Sequence, residues 1–75
     1  MLQYRVPVAG PVRLIVYDVS GREVRRLVAT GQTPGDYSVS WNGKDEANQH
    51  VGAGLYMYRL TVGTRAAGGK LVLLP

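Results

Sequence analysis

Alternating side chains in two segments constrain the fold of this chain more than any other feature of its sequence. In VRLIVYDV, residues 12–19, Val12, Leu14 and Val16 fall on one face, and GLYMYRLTV, residues 54–62, is the longest segment of this kind. A two-residue period is the spacing of side chains along a β-strand. No apolar pattern with a helical period continues for the roughly ten residues that a helix needs. The sequence therefore predicts an all-β protein.

Residues 20–30 are predicted to form a hairpin turn and its second strand. Ser20-Gly21 follows the first alternating segment, and glycine readily takes the left-handed conformation that tight hairpins need. The next strand is predicted over residues 24–30. Val24 and Leu27 are three positions apart, so a regular strand would place their side chains on opposite faces. A bulge between them, which adds one residue to the strand, would bring both side chains to the same face. We therefore expect a bulge or a strong twist in this strand.

The remaining strands are separated by turn residues. TPGD predicts a turn, with Gly35 at a positive φ, and residues 37–41 alternate as a strand that ends in Trp41. The apolar run Leu71–Leu74 predicts a last strand that is buried on both faces. About six or seven short antiparallel strands in a chain of this length are typical of a small β-sandwich with immunoglobulin-like character.

The length and composition bound the classes of function. The chain has 75 residues, which is one domain, and it has no cysteine, which excludes disulfides and zinc-thiolate sites. Its formal charge of +4 comes from cations that are scattered along the sequence, so we expect no nucleic-acid partner. No segment predicts membrane insertion or a signal peptide. The chain is then either cytoplasmic or a piece of a longer protein whose export signal lies elsewhere.

Catalytic motifs are missing from the sequence. His50 is the sole histidine, and no serine stands in a nucleophile-elbow pattern, so a lone loop histidine on the surface is the favoured interpretation. GTRAAGGKL contains Lys70 but has Thr64 and Leu71 where a phosphate-binding loop needs glycine and Ser or Thr. We therefore predict no catalytic residues and no cofactor.

Two groups of residues allow a binding interpretation beside a structural one. The oxygen-bearing side chains of Asn42, Asp45, Glu46 and Asn48 are possible calcium ligands. Their spacing does not match an EF-hand, so we favour turn-closing bonds, a left-handed Asn48 and no metal. Trp41, Tyr56 and Tyr58 could form an exposed platform for sugar rings or bases, but a chain without phenylalanine needs bulky rings in its core. We favour the core.

Three ordered motifs resemble a known family. They are YDVSGREVRRLV, GDYSVSWNGKDEANQHVGAGLYMYRLTVG and KLVLL. The chain resembles the C-terminal sorting domain of bacterial type IX secretion cargo, and equally the related immunoglobulin-like domain of the flagellar hook-capping protein. The motif positions are Tyr17, Asp18, Gly21, Val24, Trp41, Gly43, Asp45, Gly54, Tyr56, Tyr58, Leu60 and Lys70.

The resemblance implies that the tryptophan stretch is scaffold, with Gly52 and Gly54 at positions where a side chain would clash. It also implies a non-enzymatic sorting domain at the C-terminus of a larger protein, secreted or surface-located by way of the periplasm. The expected partner is the secretion machinery at the outer membrane or the rest of the parent protein. The candidate recognition surface consists of Gly21, Lys70, Leu71, Val72, Leu73 and Leu74. The alternative is a structural immunoglobulin-like module of an extracellular enzyme or of a hook-capping protein, with carbohydrate binding third.

Overall fold

The computed structural model of the protein describes residues 2–75. Their regular structure consists of six strands: β1 (Leu2–Val6), β2 (Gly10–Tyr17), β3 (Glu23–Gln32), β4 (Gly35–Val39), β5 (Gly54–Val62) and β6 (Arg65–Leu73). No helix in this part of the chain is long and apolar enough to cross a membrane.

The strands form two antiparallel sheets. β1 pairs with β4 in a two-stranded sheet, and the second sheet has the order β3-β2-β5-β6. The Tyr4 hydroxyl connects the two sheets by donating to Gln32 Oε1 at 2.7 Å. The predicted all-β sandwich with immunoglobulin-like character is confirmed, with six antiparallel strands.

The core lies along β2, one of the two central strands that have a partner on each side. Val12, Leu14 and Val16 are at most 1% exposed, as is Val6 of β1. The face on which the sequence placed Val12, Leu14 and Val16 is therefore the buried face of β2. Ile15 points to the opposite face but is also buried, at 8% exposed.

β3 contains two bulges. In its pairing with β2, the partner changes from Val28 to Arg26 and then from Arg25 to Glu23, so Leu27 and Val24 are each passed over. These are the two residues whose opposite parity predicted a bulge, and the prediction is confirmed. The bulges turn Val24 inward, where it packs with Val16 and Tyr56.

Strand boundaries differ from the predicted ones where a turn begins or a partner ends. β2 spans residues 10–17 rather than 12–19, because the turn of the hairpin begins at Asp18. β4 spans residues 35–39 rather than 37–41, since it pairs with β1 only as far as Leu2↔Val39. β5 has the predicted bounds, and β3 contains the predicted residues 24–30.

β1 was not predicted from the sequence. Only five residues alternate before Pro7 ends the strand, and its partner β4 is distant in the chain. The rings of Tyr4 and Tyr37 stack across this pair, with centroids 5.5 Å apart. Arg5 Nε lies 2.8 Å from Asp36 Oδ1, but both side chains are exposed and such a pair stabilises little.

The predicted two-sided burial of Leu71–Leu74 is wrong. Leu71 and Leu73 pack against the core, whereas Val72 is 69% exposed and Leu74 is 77% exposed. β6 is the end strand of its sheet, and nothing in residues 2–75 covers its outer face at Val72. The strand therefore alternates between an inward and a solvated side, like other half-buried strands.

Candidate functional site

The loop after β4, residues 40–53, is organised by its own polar side chains. Asp45 Oδ1 accepts the backbone N–H of Ala47 at 3.0 Å and that of Gln49 at 2.9 Å, and Asn42 Oδ1 accepts the N–H of Lys44 at 3.1 Å. Asn48 is left-handed, with φ 62°. The interpretation of these residues as turn formers is confirmed.

Glu46, the fourth candidate calcium ligand, binds the free edge of β3. Its N–H donates to the carbonyl oxygen of Val24 at 3.2 Å, and its Oε1 accepts the N–H of Arg26 at 2.5 Å. Arg25 Nη1 donates to the carbonyl oxygen of Asp45 at 3.0 Å. These three bonds cap the β3 edge. Within residues 2–75 no cluster of three or more His, Cys, Asp or Glu side chains could hold a metal ion.

His50 and the hydroxyl of Ser20 belong to separate turns. His50 is exposed, and its backbone forms an isolated bridge with Lys44 at the base of the loop. Ser20 Oγ donates to Asp18 Oδ1 at 2.6 Å. The serine is therefore engaged by a carboxylate of its own hairpin and not by the histidine.

Trp41 connects this loop to the core. It lies beyond the end of β4, so its predicted place as the last residue of that strand is wrong. Its indole Nε1 donates to the carbonyl oxygen of Lys44 at 2.9 Å, and its ring meets Tyr56 edge to face at 5.0 Å. The Tyr56 hydroxyl donates to the carbonyl oxygen of Gly52 at 2.6 Å. The two rings thus anchor both ends of the loop, and Trp41 is half-buried against the core rather than a flat exposed platform.

Tyr58 covers the end strand at a glycine. Gly69 is its direct partner in β6, and a Cβ atom built on Gly69 would lie 2.6 Å from the Tyr58 hydroxyl oxygen. No side chain larger than hydrogen fits there without moving the ring. Leu60, the next inward motif residue of β5, is half-buried and pairs with Leu14 of β2 and with Ala67 of β6.

The two glycines that lead into β5, Gly52 and Gly54, are not needed for space. A Cβ atom on Gly52 or Gly54 would meet nothing within 4 Å, so the expected clash at these positions is wrong. Gly54 is required by its φ of 140°, which other residues rarely adopt. Within the loop of residues 40–53, Gly43 is sterically restricted, because it is buried, has φ 75° and would place a Cβ atom 3.2 Å from Leu73 Cδ1.

The hairpin between β2 and β3 is closed by Asp18. Gly21 is left-handed at φ 87°, and its N–H donates to the carbonyl oxygen of Asp18. Asp18 Oδ1 accepts bonds from Ser20 and from the N–H of Arg22. The Ser20 hydroxyl, followed by the Arg22 N–H, lowers the pKa of the Asp18 carboxyl, because both bonds favour its charged form. Tyr17, the motif residue before it, is half-buried at the end of β2.

The predicted recognition surface is spread over two elements. Gly21 lies at the hairpin tip, Lys70 to Leu73 lie at the end of β6, and Leu74 follows that strand. Gly21 and the Gly68-Gly69 pair line one open groove of about 630 Å³. Lys70, Val72 and Leu74 are exposed, while Leu71 and Leu73 face the core. The role of these residues in recognition stays a prediction.

Two structural roles were missed by sequence reasoning. Glu46 is 20 residues from Arg26 in sequence, with β4 between them, and no local pattern pairs the two. The role of Gly69 had a usable signal: Gly63-Thr64 is a two-residue hairpin turn, and counting outward from it places Gly69 opposite Tyr58.

The chain matches the model of the FlgD Ig-like domain over residues 6–70. The matched segment runs from the end of β1 into β6 and includes both hairpins and the Trp41 loop. Comparisons with curated proteins and with solved structures give no significant match. Because the match covers most of the sequence and the fold is a six-stranded immunoglobulin-like sandwich, this chain belongs to the FlgD Ig-like domain family.

Proposed function

We propose that this chain is a non-catalytic immunoglobulin-like module of a larger exported protein, to which it contributes a folded β-domain for assembly. The family match over residues 6–70 is the observation that carries the proposal. Its partner is the remainder of the parent protein. That parent is a hook-capping protein or an extracellular enzyme. No cofactor, nucleic acid or membrane insertion takes part in this role.

The contacts of the motif residues support a structural role. The polar groups of Asp18, Trp41, Asp45 and Tyr56 are all bound to the backbone of the same domain. A group that is occupied in this way keeps a turn or a loop in place and is not free to bind a substrate. These side chains therefore account for the motif without an active site.

A sorting role is the second candidate, and the exposed part of β6 favours it. Lys70 and Val72 are accessible on an end strand and Leu74 directly after it, where a secretion machinery at the outer membrane would be able to contact them. In that case the domain directs its passenger to the cell surface. The structural module has the stronger support, because the family match is to the FlgD Ig-like domain.

Export of a passenger separates the two candidates. Residues 1–75 are fused behind a passenger with an ordinary export signal, in a bacterium that has the type IX machinery, and the passenger is located by surface proteolysis. The structural role predicts a folded domain and a passenger that stays in the periplasm. Surface delivery that is lost in Lys70→Glu, with the domain still folded, would show the sorting role instead.

The structural role has its own test in the parent protein. Replacing this domain with a flexible linker of similar reach is expected to leave export unchanged and to impair assembly or stability of the parent. A variant with Arg13→Gln in the intact domain is the matched control and is expected to assemble normally in this assay, because Arg13 is an exposed residue of β2, which does not pair with β6. Loss of export with normal assembly would contradict the structural role.

A further inference from the structure

β6 has an unpaired edge that runs along most of its length. It pairs with β5 from Arg65 to Leu73 without a register shift, and the two-residue turn makes Val62 and Arg65 a hydrogen-bonded pair. Hydrogen-bonded and non-bonded pairs alternate in an antiparallel ladder, so every second residue directs its N–H and C=O away from β5. The outward-directed residues are Ala66, Gly68, Lys70 and Val72. Within residues 2–75 no other strand pairs with this edge.

A groove lies on the inner side of this edge, between β6 and β1. It has a volume of about 390 Å³ and is lined by Leu60, Val62 and Ala67 from the larger sheet, by Pro7 after β1, and by Arg5 and Arg65. A separate hollow of about 120 Å³ lies farther along β6, beside Trp41 and the inward residues Leu71 and Leu73. The lining is mostly apolar. A strand added to β6 would direct every second side chain into this groove.

The edge lacks most of the features that prevent strand addition. β6 is nine residues long, has no bulge and no proline, and carries only small side chains from Ala66 to Gly69. Val72 is 69% exposed beside it. Lys70 is the one charged side chain in the middle of the edge. This lysine disfavours an added strand that has a basic side chain opposite Lys70, and it favours one that has an acidic side chain there.

The charges of the domain also favour an acidic partner. Each of the five carboxylates is engaged elsewhere, in hydrogen bonds or ion pairs of its own region: Asp18, Glu23, Asp36, Asp45 and Glu46. Among the residues that the structure describes, Arg65 and Lys70 of β6 form no ion pair with any carboxylate. A second copy of this chain would bring the same cations to the edge, so pairing between copies is disfavoured.

We propose that the β6 edge binds an extended segment of another protein by strand addition. The segment places apolar side chains in the groove between β6 and β1, and an acidic side chain opposite Lys70. Main-chain hydrogen bonds to Ala66, Gly68, Lys70 and Val72 hold it in register. The inference rests on the proposed role in assembly and names the contact that would serve it.

The probe is a synthetic nine-residue peptide of alternating valine and threonine with one glutamate among the threonines, blocked at both ends and labelled with a fluorophore. Binding to residues 1–75 is measured by fluorescence anisotropy, and the site is located by amide hydrogen exchange. We expect saturable binding and slower exchange at Lys70 and Val72. A matched peptide with lysine in place of glutamate is expected to bind about tenfold more weakly.

Three variants test the geometry. Val72→Pro removes an outward-directed N–H without breaking a bond to β5, and it should weaken peptide binding at least tenfold; Val72→Thr keeps the N–H and should bind normally. Lys70→Glu should reverse the preference, so that the lysine peptide binds more tightly than the glutamate peptide. Circular dichroism verifies folding, and if Val72→Pro unfolds the domain, the charge reversal decides the question.

Three outcomes would overturn the inference: no saturable binding at the highest soluble peptide concentration, protection on the β3 edge instead of β6, or self-association through β6 that the peptide does not displace. None of these affects the linker-replacement experiment on the parent protein. Failure of strand addition and failure of the structural role are therefore distinguishable.

Discussion

The two edge strands of the four-stranded sheet, β3 and β6, differ in whether their outer edges are capped. At the β3 end, two bulges interrupt the strand, and Glu46 occupies the backbone groups of Val24 and Arg26. At the β6 end, the ladder is regular over nine residues and no loop of the described chain pairs with the edge. One end is closed to further strands and the other is left open.

The difference shows what the Trp41 loop does. The loop is held by its own turns at Asp45 and by the bond from the Trp41 indole to Lys44, and it then caps β3 through Glu46. In the sequence, the polar residues of this loop resemble a metal-binding site. Carboxylate and amide side chains serve both purposes, because they can bind a metal ion and can also hydrogen-bond to a backbone edge. The capped β3 edge and its loop are therefore scaffold, and the unpaired β6 edge is the candidate interaction surface.

The largest expected effect comes from Trp41→Ala, which removes the anchor of the capping loop. We expect a loss of about 3 kcal/mol in the free energy of unfolding. The variant loses the packing of the large ring on Tyr56, and it also loses the hydrogen bond from the indole to Lys44. Urea unfolding followed by circular dichroism measures it. Trp41→Phe keeps much of the ring and should lose about 1 kcal/mol. Equal losses in both variants would contradict the anchoring role of the ring.

At the open end, Gly69→Ala should destabilise the domain by about 1–3 kcal/mol, because the new methyl group displaces the Tyr58 ring. The same change in a Tyr58→Ala background should cost less, since the ring is no longer there. Thermal unfolding of the four proteins of this cycle provides the coupling energy. Additive effects would show that the ring does not restrict this position.

Glu46→Ala should remove the closed character of the β3 edge. We expect a loss of about 1 kcal/mol, together with faster amide hydrogen exchange at Arg26, because its N–H loses the carboxylate acceptor. Glu46→Gln keeps an acceptor oxygen and should preserve much of the protection. If exchange at Arg26 is already as fast as at Lys70 in the unaltered protein, the contrast between the two edges is refuted.

The smallest effect concerns the hairpin that leads into β3. The pKa of Asp18 is lowered in the folded state, so its contribution to stability is complete above its ordinary pKa of about 3.9 and is lost as the pH falls below that value. Melting temperatures of the unaltered protein and of Asp18→Asn should therefore differ at pH 6 and converge as the pH falls through the lowered pKa of Asp18. A difference that persists unchanged at low pH would exclude the charge of Asp18 as its cause.

Local patterns predicted several elements of this fold correctly. The bounds of β5, the bulges at Val24 and Leu27, and the left-handed Asn48 depend on side-chain parity or on the preferences of single residues. Such features are determined within a few neighbouring residues and can be found without knowledge of the partner strand. The all-β class follows from the same kind of pattern.

Long-range pairing was not accessible in this way. β1 was missed because five residues carry too little signal without their partner β4, and Leu71–Leu74 were assigned to a doubly covered strand although β6 is an end strand. The role of Glu46 likewise depends on which loop lies beside β3. The order of strands in a sheet cannot be read from the period of any one strand.

The sequence by itself determined that the chain forms short antiparallel strands joined by tight turns, because alternation, glycine and asparagine act through local backbone geometry. The tertiary structure decided which strands became edges, and it placed Glu46 on β3 while leaving β6 unpaired. Edge protection arises from contacts between residues far apart in sequence, and their free energy exists only once the sheets have formed.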